Sequence, residues 1–150
     1  MRTRIILSTA LAIAVVAGVS AQEKPNFAGK WKAAGSFTTY AITVDGNKMT
    51  VTMTVAGNSE STVYLLDGTP SKKTFEGPNG LMENISTSTW EGDVLVTTTK
   101  TAFGTTLVEK RSLEPDGTMR VQTILTMMQG KPAPPPPPGA AAGMVFKKIG

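Results

Sequence analysis

The stretch from Tyr40 to Val55, Tyr-Ala-Ile-Thr-Val-Asp-Gly-Asn-Lys-Met-Thr-Val-Thr-Met-Thr-Val, constrains the fold more than any other part of the chain. Tyr40, Ile42 and Val44 alternate with small or polar residues up to an Asp45-Gly46-Asn47 turn. Met49, Val51, Met53 and Val55 then alternate with Thr50, Thr52 and Thr54. A period of two puts one side-chain set on a buried face and the other in water, as a half-wet antiparallel sheet requires. Asp-Gly between two such runs is a strong hairpin signal. The odd-numbered set from Met49 to Val55 is expected to point inward.

The same unit recurs along the chain. Strands are expected over Phe27 to Lys32, Ser61 to Leu66, Lys72 to Glu76, Met82 to Trp90, Val94 to Thr101, Thr105 to Leu113, Met119 to Met127 and Met144 to Ile149. Each is bounded by Gly, Asp, Asn or Pro. The abundant threonines suit a pleated, half-exposed surface. No helical periodicity of useful length occurs after residue 21. About ten strands joined by short turns make a meander, and a long meander closes on itself to remove its edges. The expected fold is therefore an all-β, antiparallel up-and-down barrel of about 8–10 strands, with a two-sheet sandwich as the alternative.

Residues 1 to 21 read as a secretory signal. Arg2 and Arg4 precede an apolar run from Ile5 to Val19, and Val19-Ser20-Ala21 supplies a cleavage site, placed after Ala21. A bilayer span needs about 20 apolar residues, so an uncleaved anchor is disfavoured. The mature protein is expected in the periplasm or outside the cell, as one barrel domain over residues 22 to 150. Lys131-Pro132-Ala133, the run Pro134 to Pro138 and the Gly/Ala stretch behind it cannot pair in a sheet by composition. They read as a Pro/Ala-rich loop over 130–143, between the last two strands.

Composition removes several function classes. The chain has no Cys and no His, so disulfides, thiolate metal sites and Ser-His or Cys-His nucleophiles are excluded. Asp45, Asp67, Asp93 and Asp116 each adjoin a glycine, where turn geometry accounts for them. No pair of acids suggests a hydrolase cleft. An enzyme, a metal and a cofactor are not expected. The 15 basic residues less Arg2 and Arg4 leave 13 against 11 acids, with only dipeptide clusters of lysine and arginine. That is no nucleic-acid footprint. Aromatic content of 6% and threonine-rich faces argue against an outer-membrane barrel, so no membrane insertion is expected once the signal is removed.

What remains is a binding interior. In Leu107-Val108-Glu109-Lys110-Arg111-Ser112-Leu113 the odd positions share a face that begins and ends with leucine. If the leucines point inward, Glu109 and Arg111 do too, and an interior Arg beside an acid can hold a ligand's polar head. If Val108 marks the inner face, both charges are solvated; the pair can also be purely structural. Tyr40, Met53, Trp90, Glu109 and Arg111 are the candidate ligand-binding residues. Trp90, at a strand end, either lines a cavity mouth or packs.

Asn26-Phe27-Ala28-Gly29-Lys30-Trp31, at the head of the first strand, resembles the Gly-x-Trp opening of lipocalin and calycin barrels. Together with Trp90-Glu91-Gly92-Asp93-Val94-Leu95-Val96 and Arg111-Ser112-Leu113-Glu114-Pro115-Asp116-Gly117-Thr118-Met119, it resembles small secreted bacterial lipocalin-like domains. The lipocalin Thr-Asp-Tyr motif is absent, and the strand count is nearer to fatty-acid-binding barrels. The resemblance implies barrel closure by Gly29 and Trp31, with Arg111 or Arg120 lying over the tryptophan. It also implies a barrel that takes a small hydrophobic molecule as its partner. A monomer is expected, and a filled barrel acting as an interaction module is the competing possibility.

Overall fold

The computed structural model describes residues 23–150; the signal and its cleavage site lie outside the described residues. The strands, in chain order, are β1 Gly29–Ala33, β2 Thr39–Asp45, β3 Lys48–Val55, β4 Asn58–Leu65, β5 Ser71–Gly77 and β6 Gly80–Glu91. They continue as β7 Val94–Lys100, β8 Thr106–Leu113, β9 Met119–Met128, β10 Lys131–Pro132 and β11 Met144–Ile149. A single 3-10 turn, Ala140–Ala142, precedes β11.

Neighbours in the sheet follow the order β4-β3-β2-β1-β11-β9-β8-β7-β6-β5, with β10 appended to β9. All ladders are antiparallel. The meander thus closes by laying its last strand beside its first, as a nearly closed ten-strand barrel rather than a sandwich. Closure is incomplete at one seam. No ladder joins β4 to β5 among the described residues; instead the Lys73 ammonium of β5 reaches across to the Glu60 carboxylate and donates to Thr62 Oγ1 at 3.1 Å on β4.

The β2–β3 hairpin has the expected register, with Tyr40 opposite Met53 and Ile42 opposite Val51 across a Gly46-Asn47 turn. Gly46 there adopts φ 58°, the left-handed region such tight turns need. Met49 and Val51 are buried while Thr52 and Thr54 pair with Ser61 and Ser59 hydroxyls on the outer face. The inward set fades toward the turn at Ala56, where Val55 is exposed. The first strand begins two residues later than its sequence pattern suggested, because Phe27 turns in to pack instead of pairing.

Lys131 and Pro132 do pair, contrary to the expectation for that segment. They lie opposite Met128 and Met127, closed by a Gln129-Gly130 turn with both φ positive. An edge position tolerates proline, whose missing N–H would have pointed away from the ladder. Pro134 to Pro138 carry no ladder and are exposed.

Successive turns of a meander fall alternately at the two ends. The end holding the β2–β3, β4–β5, β6–β7 and β8–β9 turns is plugged by Phe27, Trp31, Met49, Leu95, Met119 and Phe146, each 3% exposed or less. Burying side chains of this size is worth about 1.5–3 kcal/mol each. The Trp31 indole N–H donates to the Phe27 carbonyl at 2.8 Å, so the plug leaves no indole donor unpaired. The Lys148 ammonium, on β11, lies 5.5 Å from the Trp31 ring centre. The cation over the tryptophan is therefore this lysine, not Arg111 or Arg120. Arg120 faces outward, donating to Glu114 at 2.6 Å and to the Ala142 carbonyl at 2.7 Å.

Candidate functional site

Above the plug the barrel is hollow. The β8 strand pairs Arg111 with Leu95 on one side and Val121 on the other, and Glu109 with Thr97 and Thr123. Leu95 is a plug residue, so its face is the interior, and Arg111 and Glu109 share it. Arg111 is 4% exposed. Its Nη2 donates to Glu109 Oε1 at 2.6 Å, and its Nη1 approaches the Met49 sulfur at 3.7 Å, a weak acceptor. Its Nε is the buried side-chain polar atom without a partner among the described residues. A guanidinium carries five N–H donors, and burying one unmet costs about 1–3 kcal/mol.

Three spaces that share lining residues open beside this group. One of about 220 Å³ is bounded by Tyr40, Val51, Met53, Glu60, Thr62, Tyr64, Glu109 and Arg111. A small space of about 30 Å³ lies between Tyr40, Glu109, Arg111, Met119, Val121 and Phe146. A third, of about 340 Å³, reaches from Tyr40, Glu109 and Val121 to Gly139, Ala140, Gly143 and Met144 under the Pro/Ala strap. Tyr40 and Glu109 border all three. Ligand cavities span about 300–1,000 Å³, and the space of about 340 Å³ under the strap falls within that range.

The polar groups on the wall are graded. Burial holds the Tyr40 phenol above its ordinary value, the Glu109 carboxylate adds to this, and Arg111 opposes it. Tyr64 is raised for the same first two reasons, again against Arg111. Both phenols are thus neutral donors over the whole physiological range. They face an Arg whose charge is shared with one carboxylate. On the β6–β7 wall the buried Ser88 and Thr97 hydroxyls bond each other at 2.8 Å, as do Ser86 and Thr99. Those hydroxyls are satisfied, whereas Arg111 is not. No group of three or more metal-ligating side chains occurs among the described residues.

Of the residues singled out in sequence, Tyr40, Met53, Glu109 and Arg111 meet around one cavity. Trp90 lies apart from them, at the plugged end. It stacks on Phe27 with ring centres 5.9 Å apart, carries the Lys24 ammonium at 5.7 Å, and borders a separate groove of about 500 Å³. Gly29 sits where a Cβ would collide with the Lys148 stem, so the glycine lets that lysine lie down toward Trp31. Sequence reading missed Tyr64, Thr62 and Glu60, the inward residues of β4. The signal was present, since Tyr64 and Thr62 stand opposite Met49 and Val51, already assigned inward.

No protein-family model matches the chain, and no curated protein resembles it in sequence. Solved structures do resemble it in shape. One is a secretary abundant heat soluble (SAHS) protein from Ramazzottius varieornatus, with TM-score 0.57 and 14% identity over 82% of this chain and 95% of that one. Another is described as the REP1-NXSQ fatty acid transporter, with TM-score 0.53 and 12% identity over 82% of this chain and 96% of that one. At these identities the likeness is one of fold, and it agrees with the antiparallel up-and-down barrel expected from the strand pattern.

Proposed function

We propose that this protein is an exported, monomeric, non-enzymatic carrier that holds a small amphiphile in the hollow half of its barrel, the polar head at Arg111. The observation that carries the reading is the buried guanidinium with an unmet Nε on the cavity wall. An acceptor group of a ligand would satisfy that donor, with the neutral phenols of Tyr40 and Tyr64 within the same space. The apolar tail would run past Val121 and Phe146 toward Met144. The fold neighbours support this, one of them being described as a fatty acid transporter.

Displacement of a fluorescent fatty acid tests it. Arg111→Met keeps the apolar stem and removes the donors. It should weaken fatty-acid binding by about 1.5–3 kcal/mol, the scale of a charge-assisted hydrogen bond, and leave an uncharged apolar probe of similar size nearly unchanged. Equal loss for both probes together with thermal stability would make Arg111 structural. Binding of neither probe by the unmodified protein would favour a barrel that acts only as an interaction module.

A further inference from the structure

Four charged side chains line or brace the space of about 220 Å³ beside Arg111. Glu109 and Arg111 line it from β8, and Glu60 lines it from β4. Lys73 of β5 joins them by pairing with Glu60 and by donating to Thr62, another wall residue, at 3.1 Å. Two carboxylates thus stand against two cations, and the wall is electrically balanced before any ligand enters. The inner pair is Arg111 and Glu109, with side chains 5% and 30% exposed. The outer pair, Lys73 and Glu60, is wetter, at 29% and 63%.

That balance restricts the head group. A lone anion on the unmet Arg111 Nε would share one guanidinium with Glu109. It would also leave one negative charge uncompensated in a half-dry space, and buried charge is costly unless paired. The field along this wall already leans negative, since at both Tyr40 and Tyr64 the effect of Glu109 exceeds the opposing effect of Arg111. Glu109 also has acceptor capacity to spare. A carboxylate offers about four lone-pair sites, and Arg111 Nη2 takes one of them at Oε1.

We propose that the amphiphile taken up here has a zwitterionic head, its anionic group on Arg111 Nε and its ammonium on Glu109. Each ligand charge then faces an opposite one on β8, both contacts being charge-assisted hydrogen bonds, and the barrel gains no net charge. The phenols of Tyr40 and Tyr64 line the same space and supply neutral donors to further head-group oxygens. A single-chain phosphodiester that ends in a primary ammonium has this chemistry. The inference rests on the carrier reading above and narrows its ligand class; a fatty acid supplies the Arg111 contact alone and is the weaker ligand.

Calorimetric titration with two lysophospholipids of one acyl chain, below their micellar concentrations, is the test. Lysophosphatidylethanolamine and lysophosphatidylglycerol share the phosphodiester and the tail; the first ends in an ammonium, the second in hydroxyls. The unmodified protein should bind the ethanolamine lipid roughly tenfold or more tightly, the low end of what a close charge pair contributes at an interface. In Glu109→Gln the ratio should fall to about threefold or less, chiefly through weaker binding of the ethanolamine lipid. Equal binding of the two lipids by the unmodified protein, or tighter binding of the glycerol lipid, overturns the proposal and leaves the carrier reading standing; this comparison needs no variant to fold. A preference that persists undiminished in Glu109→Gln also overturns it, because the ammonium would then have another partner. Uptake of a fatty acid but of neither lysophospholipid sinks the zwitterionic head alone. Uptake of no amphiphile at all sinks the carrier reading with it.

Discussion

Replacing Glu109 by Gln probes the interior charge arrangement from two sides. The Glu109–Arg111 contact is 2.6 Å long, with the Arg side chain 5% and the Glu side chain 30% exposed. Removing one partner of a fully buried pair costs about 3–5 kcal/mol. Glu109 retains some water and Gln keeps a carbonyl acceptor, so about 1–3 kcal/mol is expected here, a Tm lower by roughly 3–15 °C. Affinity should move the other way. With its counter-charge gone, Arg111 should hold a fatty-acid carboxylate more tightly, by fivefold or more, while the corresponding long-chain alcohol changes little. The chain's two tyrosines, Tyr40 and Tyr64, both line this cavity, so an alkaline absorbance titration reads the cavity alone. Burial and Glu109 hold both phenols above their ordinary value; losing the carboxylate should bring both down. The linkage follows from the raised value. The phenols contribute stability that is fully present below about pH 10, the unfolded value, and that is lost as pH rises through the folded one. In Glu109→Gln that loss should still begin near pH 10, where the unfolded phenols titrate, but should end at lower pH and be smaller. A phenol titration that stays put or rises would refute the arrangement, as would weaker carboxylate binding.

Three further outcomes are expected. Leu95→Ala removes a plug side chain that is 1% exposed and should cost about 2–5 kcal/mol in a denaturant titration, with fatty-acid affinity little altered. Deleting Pro134 to Pro138 should leave cooperative unfolding intact, because the run is exposed and its ends are held separately, by the β9–β10 ladder and by Arg120 on the Ala142 carbonyl. Loss of cooperativity would mean that the prolines pack on the barrel. The mass of the exported protein should correspond to a chain beginning at Gln22, and a membrane-bound chain beginning at Met1 would contradict the signal reading.

The strand pattern was legible because a period of two is written residue by residue. Alternation between Met49 and Val55, and Gly or Asp at nearly every turn, determine hairpins whatever lies across the sheet. A meander of that length has few ways to hide its edges, so a barrel followed. Three things were not legible. In Leu107 to Leu113 apolar residues occupy both faces and the charges lie among the leucines, so only the pairing of Arg111 with Leu95 and Val121 decided that the guanidinium is inside. Trp90 was grouped with the ligand residues because nothing local tells a strand's plugged end from its open one. The seam at β4–β5, bridged by Lys73 rather than by backbone, and the hollow beside Arg111 depend on how volumes from ten strands add up around a closed circle. Periodicity specifies which side chains face the interior. How much of that interior they fill is a sum over residues far apart in sequence, and only the tertiary structure performs it.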